Sequence, residues 1–264
     1  MRVDGAIGVF DSGVGGISVL REIRALLPHE DLLYVADSGH CPYGNKRDDY
    51  IRERSLRIAG WLIERDVKAL VVACNTATAA AAGLLRATFA VPVVAMEPAI
   101  KPAVAATRSG VVGVLATVGT SRSERLTALI ERFGRGVQIL TQPCPGLVEH
   151  VEAGDLDGPI TRSLLQGYLD PLLKRGADTL VLGCTHYPFL RPVIADIVGA
   201  QVALIDTGAA VARRGQDVLA ERGLLRGTGA GLEHFWTSGD VGLAEQVIGD
   251  YLWGMPVVVN PLPI

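Results

Sequence analysis

The chain has 264 residues, of which 49% are hydrophobic and 20% charged, and its formal net charge is −3. This charge gives no electrostatic footprint for nucleic acid, and no run of 18 apolar residues predicts a membrane span. The length allows one large hydrophobic core or two modest ones. Because the first residues lead directly into a predicted strand and leave no room for a signal peptide, we expect a cytoplasmic protein.

Short apolar runs alternate with amphipathic stretches along the whole chain, which is typical of parallel sheets covered by helices. Strands are predicted over residues 6–10, 32–36, 68–73, 93–97, 111–115, 137–140, 179–183, 202–206, 234–237 and 256–260. Between the first two strands, Ile17, Leu20 and Ile23 fall on one helical face. Pro171 interrupts a later helical pattern, so a kink or a restarted helix is predicted at that residue.

An internal repeat divides the chain into two halves. Five identical residues recur 110 positions apart: Leu62, Arg65, Leu70, Val71 and Cys74 return as Leu172, Arg175, Leu180, Val181 and Cys184. The run 7–10 likewise resembles the run 112–115. We therefore predict an α/β fold with two pseudo-symmetric lobes, each a mainly parallel sheet flanked by helices. Residues 1–97 plus 209–264 form the first predicted lobe, and residues 98–208 form the second.

Small polar side chains follow several predicted strands, where ligands gather in open parallel sheets. They include Asp11, Ser12, Cys74, Asn75, Thr76, Thr117, Thr120, Cys184, Thr185 and His186. If the lobes face one another, the repeat places Cys74 and Cys184 on opposite walls of one cleft between the lobes. This arrangement suits a two-base racemase, in which one group removes a proton from one face and another delivers a proton to the opposite face.

The residues disfavour the pyridoxal phosphate route that most amino-acid racemases use, because that cofactor is held by a lysine Schiff base. None of the lysines at positions 46, 68, 101 and 174 follows a strand into the predicted cleft. A thiolate can serve as the base if its pKa is lowered at a helix N-terminus, the position predicted for both Cys74 and Cys184. No cysteine or histidine spacing predicts a metal site. We expect neither a cofactor nor a metal.

Four separated segments resemble the signatures of one enzyme family, in that family's order and spacing. They are residues 8–16 (GVFDSGVGG), 42–44 (PYG), 73–77 (ACNTA) and 183–188 (GCTHYP). These segments are similar to those of the cofactor-independent aspartate/glutamate racemase family, and the similarity covers nearly the whole chain, weakest after residue 209. The aspartate racemases carry a glutamate after the second Cys-Thr, so His186 implies the glutamate branch.

The resemblance also implies roles for individual residues. Cys74 would deprotonate the D-enantiomer and Cys184 the L-enantiomer, with Asp11 assisting Cys74, and with His186 and Glu152 assisting Cys184. Together with the strand-end residues, the expected substrate-binding set is Asp11, Ser12, Tyr43, Gly44, Asn75, Thr76, Thr117, Thr120, Thr185 and His186. Two positions depart from the family pattern: Glu149 stands where proline is usual, and His40 where arginine or asparagine is commoner.

The sequence leaves three functions open. The first is a glutamate racemase, a homodimer by resemblance, that supplies D-glutamate for peptidoglycan. The second is a related two-cysteine enzyme acting on aspartate, hydantoins or arylmalonates, and the third is a two-lobed binding protein without catalysis. The glycine-rich turn 13–16 lacks a third glycine at Ser18 for a dinucleotide loop, so we expect its N–H groups to hold a substrate carboxylate. Cys41 is interpreted as a bystander near the site.

Overall fold

A computed structural model describes residues 2–264. The strands are β1 Ile7–Asp11, β2 Leu32–Ala36, β3 Ala69–Val72, β4 Val93–Ala95, β5 Val111–Ala116, β6 Gln138–Pro143, β7 Thr179–Leu182, β8 Ala203–Ile205, β9 Glu233–Thr237 and β10 Val259–Pro261. The α-helices are α1 Ile17–Leu26, α2 Asp48–Ile63, α3 Asn75–Thr88, α4 Ile100–Ala106, α5 Val118–Ser121, α6 Glu124–Phe133, α7 Leu147–Glu152, α8 Pro159–Lys174, α9 Arg191–Val198, α10 Gly208–Glu221 and α11 Val241–Gln246. Helix α11 continues as a π-helical segment, Val247–Trp253.

The strands form two separate sheets, and every strand pairing in both of them is parallel. The larger sheet has the order β10-β9-β2-β1-β3-β4, and the smaller has the order β6-β5-β7-β8. The predicted α/β fold with two helix-flanked parallel sheets is confirmed. Since β9 and β10 join the first sheet, the last part of the chain returns to it. The lobe boundaries at residues 97 and 209 stay predictions.

The internal repeat corresponds to a packing unit that both sheets share. The order β2-β1-β3-β4 in one sheet matches β6-β5-β7-β8 in the other. Gly8 of β1 stands beside Leu70 of β3, and Gly113 of β5 stands beside Leu180 of β7. A Cβ atom on Gly8 would lie 3.2 Å from Leu70, and one on Gly113 only 2.6 Å from Leu180. Glycine in the first strand of each unit therefore makes room for the repeated leucine.

Two local predictions, a restarted helix at Pro171 and the start of the last strand, were wrong, each for a tertiary reason, whereas a kink at Pro171 stays a prediction. Helix α8 runs without a break through Pro171. The buried side chains of Leu165, Leu169 and Leu172 hold it against the lobe, and this packing outweighs the hydrogen bond that proline cannot donate. The last strand begins at Val259 rather than at residue 256, because the chain leaves the π-helical segment through exposed, irregular residues such as Met255. Within residues 2–264, no helix is long and apolar enough to cross a membrane.

Candidate active site

A small cavity lies between the two lobes, at the carboxyl ends of the central strands. Its walls are Ser12, Pro42, Tyr43, Gly44, Cys74, Asn75, Thr76, Thr117, Thr120, Val148, Gly183, Cys184, Thr185 and His186. Its volume of about 10 Å³ is close to what one water molecule requires, so the lobes are closed on each other. Of the predicted site residues, only Asp11 and Glu152 lie outside this lining, and both contact residues within it.

Cys74 follows β3 and begins α3 as its N-cap residue. Its sulfur accepts a hydrogen bond from the Ala77 N–H at 3.4 Å, and its thiol donates to Ser12 Oγ at 3.7 Å. The side chain is buried, and burial together with the nearby Asp11 raises the pKa of Cys74 well above its ordinary value. The expected lowering of this pKa was wrong, because loss of solvent outweighs the single N–H contact at the helix end.

Asp11 ends β1 and connects both lobes beneath the cavity. One carboxylate oxygen accepts the Ser12 N–H at 2.7 Å, and the other accepts the Gly16 N–H at 2.6 Å and the Thr185 hydroxyl at 3.1 Å. Burial raises the pKa of Asp11 above its ordinary value. The carboxylate is therefore fixed beside Cys74 in a fully dry position, where a change of its charge has a strong effect on the neighbouring thiol.

Cys184 follows β7 and lies at the end of a chain of polar contacts. Its sulfur is 3.6 Å from Nδ1 of His186, and Nε2 of the same ring is 2.6 Å from Oε1 of Glu152. Burial alone lowers the pKa of His186, but the contacts with Cys184, Cys41 and Glu152 outweigh it and raise that pKa well above the usual value. A thiol, an imidazole and a carboxylate in this order can move a proton away from the sulfur.

The local structure around Cys184 differs from the prediction. No helix begins at this residue: a short 3₁₀ helix starts three residues later at Tyr187, and α9 follows at Arg191. The sequence pattern after β7 resembles that after β3, but the chain turns at Thr185 and His186 before the 3₁₀ helix begins. The partner that can stabilise a thiolate at Cys184 is therefore the imidazole of His186, and not a helix N-terminus.

The glycine-rich turn after β1 accommodates the protein's own carboxylate and imidazole. Glu152 accepts the Val14 N–H at 2.7 Å with one oxygen and the Ser38 hydroxyl at 2.8 Å with the other. A Cβ atom on Gly13 would lie 2.0 Å from Glu152, and one on Gly15 would lie 2.3 Å from His186. Glu152 takes the Val14 N–H of this turn, and the expected use of the turn for a substrate carboxylate stays a prediction.

Hydroxyl and amide groups join the lobes on the other side of the cavity. Thr76 Oγ1 lies 3.0 Å from Thr117 Oγ1 and 3.1 Å from Thr120 Oγ1. The Asn75 amide donates to the Gly183 carbonyl at 2.9 Å, while its buried Oδ1 has no hydrogen-bond partner among residues 2–264. These neutral groups suit the carboxylates and the ammonium of an amino acid, and they can exchange their contacts across the lobes for contacts with a ligand.

Tyr43 lines the cavity, but its hydroxyl forms a hydrogen bond with a residue outside the cavity lining. The hydroxyl donates to Asp37 at 2.6 Å, and the same carboxylate is paired with the buried guanidinium of Arg54 at 2.7 Å. Any contact of Tyr43 or Gly44 with a ligand therefore falls to the backbone. Sequence reasoning missed Arg54, although an arginine on the same helical face as the apolar Ile51 and Ile58 is a signal for a buried partner.

Cys41 lies at the edge of the site, close to two of its residues. Its sulfur, a carboxylate oxygen of Glu152 and a ring nitrogen of His186 all lie within 4.8 Å of one another. No metal-ligand spacing is present in the sequence, yet these three residues form a cluster of metal-binding atom types. They come from three distant parts of the chain, so no local motif could have indicated them.

Comparison with known proteins agrees with this geometry. Residues 7–215 match the family model described as Asp/Glu/Hydantoin racemase. The chain belongs to this family. A glutamate racemase from Pseudomonas aeruginosa is 59% identical over 260 residues, which cover 98% of this chain and 98% of that protein.

Two solved structures of family members resemble the whole chain. The structure of a glutamate racemase isoform from Bacillus anthracis is 32% identical, has a TM-score of 0.91, and is matched over 100% of this chain and 99% of that one. The structure of Escherichia coli glutamate racemase in complex with L-glutamate and the activator UDP-MurNAc-Ala is 34% identical, with a TM-score of 0.85 and coverage of 99% and 98%.

Proposed function

We propose that this chain is a glutamate racemase, which interconverts L- and D-glutamate without pyridoxal phosphate or metal and supplies D-glutamate for peptidoglycan. The observation that carries the proposal is the pair of thiols of Cys74 and Cys184. They follow topologically equivalent strands of the two sheets and line one cavity. The choice of glutamate is supported by the named activity of relatives that match nearly the whole chain.

In the proposed reaction, one cysteine acts as a thiolate and the other as a thiol. The thiolate takes the α-proton, so an S–H bond forms as the C–H bond breaks and its electrons stay on the α-carbon. The second thiol then delivers its proton to the opposite face of that carbon. Each turnover leaves the two sulfurs with exchanged protonation states, so both must exchange protons with solvent before the next turnover in the same direction.

The two thiols reach the thiolate form by different routes in this proposal. Since burial raises the pKa of Cys74, its ionisation needs a nearby positive charge, which the α-ammonium of bound glutamate supplies, and the neighbouring Asp11 carboxylate takes the thiol proton. At Cys184, Nδ1 of His186 takes the proton, and Glu152 stabilises the resulting imidazolium. The family resemblance implies that Cys184 serves the L-enantiomer and Cys74 the D-enantiomer.

Substrate binding requires the lobes to open, because a cavity of about 10 Å³ cannot hold an amino acid. Opening breaks the contacts of Thr76 with Thr117 and Thr120, and of Thr185 with Asp11. We propose that these groups, with Ser12, Asn75 and the backbone at Tyr43 and Gly44, then bind the carboxylates and the ammonium of glutamate. Reclosing excludes water from the thiols during proton transfer.

The test is racemisation of glutamate in both directions by protein that has been dialysed exhaustively against a chelator, with no cofactor added. We expect full activity, followed as the decay of optical rotation. D-Aspartate should have a much lower kcat/KM, because its shorter side chain leaves the distal carboxylate away from its partners. Activity restored only by an added cofactor would refute the proposal. Equal kcat/KM for both amino acids would instead favour a related two-cysteine enzyme that acts on aspartate.

Two further features belong to the same proposal. A cytoplasmic location follows from the mechanism, because two thiols can act as acid and base only while they stay reduced. The homodimer rests on the family resemblance, and light scattering of the purified protein measures its mass directly.

A further inference from the structure

In the cluster of Cys41, Glu152 and His186, the proposed racemisation uses Glu152 and His186 but gives Cys41 no role. We propose that these three residues bind a zinc ion, and that zinc bound there inhibits the enzyme reversibly. The inhibitory part of the inference rests on the proposed function. One thiol, one imidazole and one carboxylate lie within 4.8 Å of one another; each is a ligand type that zinc binds, and three protein ligands leave a fourth position open.

The geometry requires little movement to admit the ion. Nε2 of His186 and Oε1 of Glu152 are now 2.6 Å apart. Two such ligands bound tetrahedrally to zinc would stand about 3.3 Å apart, given metal–ligand bonds of roughly 2.0–2.1 Å. A displacement of less than about 1 Å by the Glu152 side chain opens this pair, and Cys41 Sγ, which lies within 4.8 Å of the other ligand atoms, must approach to about 3.6 Å from each of them.

The surroundings already hold the ligands as a metal site needs. The Ser38 hydroxyl and the Val14 N–H donate to the Glu152 carboxylate, and such outer contacts orient metal ligands. A separate cavity of about 300 Å³, lined by Ser38, Cys41, Glu149 and Glu152, leads to the cluster from outside the substrate cavity. Zinc can therefore reach the site while the lobes are closed.

Binding would take away the function of His186 as a base. When zinc occupies Nε2, the one proton of the neutral ring sits on Nδ1, the nitrogen that faces Cys184. That nitrogen then cannot accept the thiol proton of Cys184. At Cys41 a zinc–sulfur bond forms as the S–H bond breaks, and the proton leaves to solvent. Removal of the ion by a chelator reverses both changes.

The test uses cobalt as a spectroscopic probe and zinc as the inhibitor, on the full-length protein and two variants. Cys41→Ser removes the proposed thiolate ligand; because Cys41 also contacts His186, the zinc inhibition of each protein is measured relative to its own activity without metal. Cys144→Ser is the matched control, because Cys144 is a buried thiol that does not belong to the cluster. Unmodified protein and Cys144→Ser should show a thiolate-to-cobalt absorption band that zinc abolishes.

Cys41→Ser should lack this band and should need at least about ten-fold more zinc for half-inhibition. If Cys41→Ser keeps both the band and the zinc sensitivity, the ion sits on Cys74 or Cys184 and the inference is wrong. If the unmodified protein racemises glutamate but shows no thiolate-to-cobalt band that depends on Cys41, the proposed zinc site is also wrong. A Cys41-dependent band in a protein that does not racemise glutamate would instead refute the proposed function and leave the metal site standing.

Discussion

At the scale of single residues, the contact between Glu152 and His186 decides how Cys184 is activated. Glu152→Gln keeps an oxygen for the Val14 N–H but loses the charge that stabilises the imidazolium. We expect kcat/KM to fall about 100-fold, as for the loss of general acid–base assistance. The loss must be equal in both directions, because the two enantiomers have equal free energy. Initial rates from L- and from D-glutamate measure it.

Glu149→Gln is the matched control, since Glu149 lies one helical turn before Glu152 in α7 and lines only the neighbouring cavity. It should retain nearly full activity. The same loss of kcat/KM in both variants would mean that activity depends on the total negative charge of α7 and not on the contact between Glu152 and His186. No loss in Glu152→Gln would exclude Glu152 from the activation of Cys184.

Cys144 provides a prediction about stability and pH. Burial raises the pKa of this thiol to about 12, whereas in the unfolded chain it titrates near about 8.5. The folded state therefore retains a proton that the unfolded state loses, so the stability from this thiol is present below about pH 8.5 and is lost as pH rises toward 12.

Serine does not titrate in this range and can keep the hydrogen bond to the Gln142 carbonyl. Between about pH 7.5 and 9.5, Cys144→Ser should therefore lose about 1.4 kcal/mol less of its unfolding free energy than the unmodified protein. Urea unfolding at the two pH values measures this difference. Equal losses in both proteins would show that the thiol of Cys144 ionises normally in the fold.

At the scale of elements, the turn between β1 and α1 positions the Cys184 side of the site. Gly15→Ala would place a Cβ atom 2.3 Å from the ring of His186, which is held by Glu152 and cannot move freely. We expect loss of most activity and a lower melting temperature. Gly83→Ala in α3 is the control: nothing lies within 4 Å of its Cβ, and alanine should stabilise the helix by about 0.5–1 kcal/mol. Full activity in Gly15→Ala would show that the close approach of His186 is dispensable.

The same elements show what a sequence can predict. All ten strands lie at or close to the predicted runs, because burial on both faces of a parallel strand leaves a continuous apolar segment. The repeat predicted two related lobes, but the pairing of Leu70 with Gly8 and of Leu180 with Gly113 became apparent only in the structure. Pro171 misled the prediction because the packing of α8, and not its local hydrogen bonding, decides whether it stays helical.

The contacts within the site were less predictable than its residues. The strand ends and the family motifs pointed to Cys74, Cys184 and His186, but burial of Cys74 depends on closure of the lobes, which no local pattern encodes. For the same reason the helix-end argument gave the wrong direction for its pKa. The ion pair of Asp37 with Arg54 and the approach of Cys41 to His186 also arise only when distant segments meet.

At the scale of the whole molecule, duplication explains why the two thiols meet. Each sheet contributes its cysteine after the strand that pairs with the glycine-bearing first strand, and both cysteines line the one cavity between the lobes. The partners differ: Asp11 and Ser12 contact Cys74, while His186 contacts Cys184. This asymmetry predicts that the two halves of the reaction can be separated experimentally.

The most direct test uses a glutamate analogue that carries chloride on its β-carbon, because loss of HCl requires only removal of the α-proton. Cys74→Ser and Cys184→Ser should both fold, as judged by circular dichroism, and both should nearly abolish racemisation, since a hydroxyl is a far weaker base. We predict that Cys74→Ser still eliminates HCl from the L-analogue through Cys184, and that Cys184→Ser does so from the D-analogue through Cys74. If one variant loses elimination from both enantiomers while the other keeps both, a single base acts on both faces and the two-thiol mechanism is contradicted.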